Sequence, residues 1–105
     1  MKRLNHTDLR SGDRVMLTED GAWNLVDILE VHANPNGEVN IKVRHLRQVR
    51  PHPHCPDIRP GTEMSIMFVR GITHYCGWSA LSLAEIRQEK GFQEEWITPE
   101  LPSST

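Results

Sequence analysis

Residues 12–49 read GDRVMLTEDGAWNLVDILEVHANPNGEVNIKVRHLRQV, three apolar-patterned runs separated by two turn signals. In the first run Val15 and Leu17 alternate with Arg14 and Met16, the period-two pattern of a half-buried strand. Glu19, Asp20 and Gly21 supply the first turn, because an Asp-Gly pair tolerates positive φ. From Ala22 the pattern predicts a long strand to His32. Trp23, Leu25, Leu29 and Val31 share one parity, Asp27 interrupts it, and Val26 and Ile28 fall on the other. Either both faces of this strand are covered or a bulge near Asp27 shifts its register. Asn34, Pro35, Asn36 and Gly37 form the second turn signal. The third run then alternates cleanly, with Val39, Ile41 and Val43 inward and Asn40, Lys42 and Arg44 outward. A short helical turn is expected at residues 45–47, anchored by Leu46 and Val49.

Downstream, residues 51–61 (PHPHCPDIRPG) hold four of the seven prolines. Proline cannot donate to a ladder, so this is a stiff connector. Residues 63–70 resume as a strand whose two faces are both apolar, Met64, Ile66 and Phe68 on one and Met67 and Val69 on the other. Such a strand belongs in a sheet interior or a subunit interface. Ser82 and Glu85 fit a capping box, which predicts a helix to Lys90, a stop at Gly91, and Leu83 and Ile86 facing the core. Phe92, Trp96 and Ile97 form the last apolar group.

These elements define an α+β, mostly β chain: a flexible lead-in over residues 1–11, one compact domain over residues 12–97 and a frayed tail over residues 98–105. A tightly bent sheet closed on one side by a single C-terminal helix resembles the SH3-like barrels. That resemblance implies a scaffold and no particular chemistry, since the same barrel serves unrelated partners.

With 105 residues and 37% hydrophobic content, the chain suits one folded domain and not a disordered segment. A formal net charge of −2 exerts no overall pull toward nucleic acid or membrane. Its distribution is uneven. Residues 1–38 carry four basic and seven acidic side chains, residues 39–60 five basic and one acidic, and residues 85–105 two basic and five acidic. The N-terminus has no apolar run behind its basic residues, so no signal peptide is expected. Residues 64–69 are too few to span a bilayer. Two cysteines in that setting predict free thiols in a reducing cytoplasm.

Three constellations could carry function. Lys42, Arg44, Arg47 and Arg50 form a basic band suited to phosphates of a nucleic acid or another polyanion. No aromatic residue interleaves with them, so base stacking is not expected, and the bland alternative is a solvated strand face paired to Glu30 and Glu38. His52, His54, His74 and Cys76 gather nitrogen and sulfur at alternate positions that could chelate zinc, though without any Cys-x-x-Cys spacing. The alternative is a proline-rich loop with exposed histidines and a small buried cysteine. Cys76, ahead of the predicted helix, resembles the placement of the nucleophile in papain-type enzymes. Circularly permuted relatives of these put the histidine earlier in the chain, as His74 or His54 would be. That resemblance implies a thiol hydrolase, and no family motif accompanies it. Trp23, Trp78 and Trp96 read as core residues.

The combination favours a non-catalytic binding module acting through its surface on a protein or nucleic-acid partner. A cysteine-dependent hydrolase and a structural zinc domain are the alternatives. The doubly apolar strand further predicts a homodimer with Met67 or Phe68 near its two-fold axis.

Overall fold

The computed structural model describes residues 3–4, 9–19, 21–35, 38–54, 57–69, 74–75 and 78–100. Its strands are β1 (Arg3–Leu4), β2 (Arg14–Glu19), β3 (Ala22–Ala33), β4 (Glu38–Arg50), β5 (Glu63–Val69), β6 (His74–Tyr75) and β7 (Trp78–Ser82). One helix, α1 (Leu83–Arg87), and a 3-10 turn at Glu94–Ile97 follow. The expected α+β, mostly β class is what the chain adopts. Strands run in the order β1-β7-β2-β3-β4-β5, with β6 paired to β7, and every pairing is antiparallel. Among the described residues the sheet is not closed by a ladder between its two ends. β6 nevertheless lies beside β5, so the ends curl toward one another.

The curl originates in β3 and β4. Their ladder carries register shifts between Trp23 and Asn24, between Leu25 and Val26, and between Ile28 and Glu30. Each shift bends the strand and adds twist. The last one explains the broken parity of β3: Val26 and Ile28 face one core, and Val31 joins them from the opposite parity. Both sequence alternatives hold together, because the strand is bulged and both its faces are covered.

Side chains that alternate along one strand leave from opposite faces. Val15 and Leu17 of β2 therefore meet Val26, Ile28, Val39, Ile41, Val43, Ile66 and Ala80 inside the curl. Met16 leaves from the outside, where it meets Trp23, Leu25, Leu81, Ile86 and Ile97. The inward set Val39, Ile41 and Val43 is as expected, each no more than 2% exposed. The outer core is covered by the C-terminal segment: Leu83, Phe92 and Trp96 pack against it together with Leu46 and Val49 of β4.

Two local differences from the sequence pattern have physical reasons. The helical turn expected at residues 45–47 is strand, because His45 N–H donates to Thr62 O (2.8 Å) and Gly61 N–H donates to His45 O (2.7 Å). Those bonds keep β4 paired beyond the end of β5. The helix expected to reach Lys90 ends at Arg87. Ser82 does cap it, with Oγ accepting from Glu85 N–H at 3.2 Å. Beyond the helix Gln88 N–H bonds to Glu85 O and Glu89 N–H to Ile86 O, which tightens the chain into 3-10 geometry before Gly91 turns it at φ +79°. Among the described residues before β2, β1 is registered on Leu81 and Ala80, and Leu9 lies in the inner core at 4% exposure. In the expected tail, Glu100 N–H donates to Leu46 O at 2.9 Å. No helix among the described residues is long and apolar enough to cross a membrane.

Candidate functional site

The basic band divides when the strands are assembled. Arg14, Asp27, Arg44 and Glu63 occupy one register level across four neighbouring strands, β2 to β5. Their charges alternate along that row. Arg14 grips Asp27 with Nε–Oδ1 at 2.8 Å and Nη2–Oδ2 at 3.3 Å. Arg44 Nη2 and Lys42 Nζ both reach the Glu63 carboxylate at 3.3 Å. Hydrogen bonds from Arg44 and Lys42 hold the Glu63 carboxyl below the usual carboxylate range, and the bond to Asp27 raises Arg14. Opposite charges directly across a ladder are the favourable cross-strand arrangement, although solvent screens exposed pairs strongly. Lys42 and Arg44 thus sit on an electrically paired outer face.

Arg47 and Arg50 face the C-terminal cover. Arg47, 19% exposed in its side chain, donates from Nε to Thr98 O at 2.8 Å and lies 3.5 Å from Glu95 Oε1. It fastens the C-terminal segment to β4. Arg50 is different: its guanidinium carbon stands 3.7 Å from the centroid of the Trp23 ring and 5.6 Å from that of Trp96. Trp23 and Trp96 meet edge to face at 5.6 Å, and Phe92 meets Trp96 the same way at 5.8 Å. T-shaped aromatic pairs and cation–π stacking are each favourable, so the four side chains form one ordered group. Trp23 is buried, Trp96 and Phe92 are half-buried, and Arg50 is exposed. Among the described residues no carboxylate or carbonyl is hydrogen-bonded to the Arg50 guanidinium.

This aromatic partnership is what the sequence did not disclose. Trp23 is the core residue it was expected to be, yet a face of its ring supports an arginine 27 positions along the chain. Only the β3–β4 register, which sets Trp23 opposite Arg50, brings the pair together.

The histidines separate. His45, between the arginines in sequence, is buried on the inner face, with Nε2 2.8 Å from Met64 Sδ and Nδ1 without a partner among the described residues. Burial pushes its pKa down, favouring the neutral ring. His52 and His54 are adjacent, with ring centroids 5.4 Å apart and His54 N–H donating to His52 Nδ1 at 3.0 Å. His74 lies on β6 with its backbone paired to Ser79; its side chain is not described, and Cys76 lies outside the described residues. The proposed zinc set and the thiol site therefore have no described geometry. Among the described residues, no three histidine, cysteine or acidic side chains gather as a metal site would require.

A shallow depression of about 440 Å³ is lined by Ser11, Gly12, Arg14, Asp27, Ile28 and Leu29. Ser11 Oγ donates to Leu29 O, Gly12 N–H to Ile28 O and Arg14 to Asp27, so these polar groups serve the structure itself. Comparison of the chain with protein-family models, curated proteins and solved structures gives no match.

Proposed function

We propose that the protein is a non-catalytic binding module, a bent SH3-like sheet that engages a protein partner through its aromatic end. The SH3-like description is supported by the order β7-β2-β3-β4-β5, in which the last strand returns beside the first of a four-strand meander. The long, bulged β3 and β4 and the approach of β6 to β5 support it further. The observation that carries the binding role is Arg50 on Trp23. Arginine and tryptophan are the residue types that most often dominate protein interfaces, and this pair stands on a rigid base beside half-buried Trp96 and Phe92.

A nucleic-acid surface is the less favoured use of the same band. Lys42 and Arg44 share Glu63, and Arg47 is committed to Thr98 and Glu95. A phosphate-tracking surface needs several free cations in a row.

Affinity capture with the purified protein tests the proposal. A partner held by the wild type should be lost with Arg50→Ala and with Trp96→Ala, and kept by the double variant Lys42→Ala with Arg44→Ala. Oligonucleotide binding that falls steeply with salt, and that weakens equally for all sequences in Arg44→Ala with Arg47→Ala, would instead make the band a nucleic-acid surface.

A further inference from the structure

We propose that Arg50 is the anchor for a carboxylate in an acidic peptide segment of the partner, an inference that rests on the binding-module reading above. The chemistry follows from which part of the guanidinium is already in use. The guanidinium carbon stands over the Trp23 ring at 3.7 Å, a stacking separation, and stacking uses the flat face of the group. Its N–H donors lie in the plane, so a stacked arginine keeps its fork available for a two-point bond to a carboxylate.

The support is stiff. Trp23 is 5% exposed and rooted in the outer core, and the chain of edge-to-face contacts continues through Trp96 to Phe92. An arginine held in this way has lost much of its rotamer freedom on folding, which lowers the entropy cost of binding. The other members of the band differ. Lys42, Arg44 and Arg47 each meet a carboxylate of this chain already.

Local charge selects the ligand. The 3-10 turn that supplies Trp96 also carries Glu94 and Glu95, whose carboxylates face Arg87 and Arg47. A phosphoryl group brings roughly −1.5 to −2 charges, more than one guanidinium offsets. A carboxylate brings one, which Arg50 matches. Half-buried Trp96, its ring centroid 5.6 Å from the guanidinium carbon, adds apolar surface next to the fork. The favoured segment is therefore an acidic residue next to an aliphatic one.

The test follows the indole N–H signals of Trp23 and Trp96 in the 15N-labelled full chain. Three probes are titrated: a capped pentapeptide containing one glutamate next to a leucine, its glutamine counterpart, and inorganic phosphate. The acidic peptide should shift both indole signals saturably, and the glutamine peptide should bind about tenfold more weakly or worse. Arg50→Lys keeps the charge and loses the fork, and should weaken the acidic peptide about tenfold, while Lys42→Ala with Arg44→Ala should not. Equal shifts with the glutamine peptide, stronger shifts with phosphate, or no saturable shift at millimolar peptide would each overturn the carboxylate anchor. Partner capture separates the two levels. If capture still depends on Arg50 and Trp96 while no peptide shifts the indoles, the binding module stands and the carboxylate falls; if capture ignores both residues, the module reading itself fails.

Discussion

His45 stands on the inner face of β4 at 1% exposure, with its Nδ1 lacking a hydrogen-bond partner among the described residues. An imidazolium there would have to bury a charge and a second donor that nothing accepts. Burial accordingly lowers the pKa below its ordinary 6.5. The unfolded chain, in contrast, protonates this histidine at its ordinary value. As pH falls through 6.5 the unfolded state takes up a proton that the folded state refuses, so stability is fully present above that pH and drains away below it. The slope is at most about 1.4 kcal/mol per pH unit for one proton. Acidification from about pH 7.5 to 5.5 should thus remove up to about 1.4 kcal/mol, or about 5–8 °C in Tm for a domain of this size.

Replacing the histidine isolates the effect. His45→Leu deletes the unpartnered nitrogen, and an apolar group of similar volume in its place is close to neutral at high pH. Thermal melts followed by circular dichroism at the two pH values give the comparison, with exposed His32→Gln as a control. Wild type and His32→Gln should lose Tm on acidification, and His45→Leu should lose distinctly less. Glu63 does not confuse the result. Its carboxyl is held below 4.5 by Arg44 and Lys42, so its contribution is present above that value and lost only as pH falls further. Parallel losses of Tm in wild type and His45→Leu would refute the assignment of a buried neutral imidazole.

Three other outcomes test the fold. Ile41 is 1% exposed, so Ile41→Asp buries an unpaired charge and should abolish the cooperative melt, whereas Lys42→Asp on the exposed face should shift it only slightly; equal melts would sink the register of β4. Ser82→Ala removes the oxygen that accepts from Glu85 N–H and should cost about 1 kcal/mol by denaturant titration, and an unchanged midpoint would show that the cap carries no weight. We also propose a two-fold dimer through β5, a terminal strand of the sheet, with Met67 or Phe68 near its axis. Sedimentation equilibrium at micromolar concentration decides that point, since a single species at monomer mass would exclude it.

Elements whose pattern is local were legible in the sequence. The alternation of Val39, Ile41 and Val43, the turn closed by Asn34 N–H on Glu38 O at 2.8 Å, and the Ser82 cap each depend on residues a few positions apart. The path of β4 beyond Arg44 was not legible, because the clean apolar–polar alternation stops there. What makes it a strand lies elsewhere: backbone partners at Gly61 and Thr62, and register shifts against β3. The shift between Leu25 and Val26 lets both Leu46 and Arg47 meet the C-terminal cover, which regular alternation would forbid.

The candidate site was legible as a list of cations and not as a surface, for the same reason. Each member's fate is set by what the fold places opposite it. Arg44 falls beside Glu63, Arg47 beside the Thr98 carbonyl, and Arg50 over Trp23. A carboxylate neutralises, a carbonyl fastens, and an indole leaves the fork open. Four similar side chains therefore acquire three different roles, and the one paired with an aromatic ring is the one left able to meet a partner.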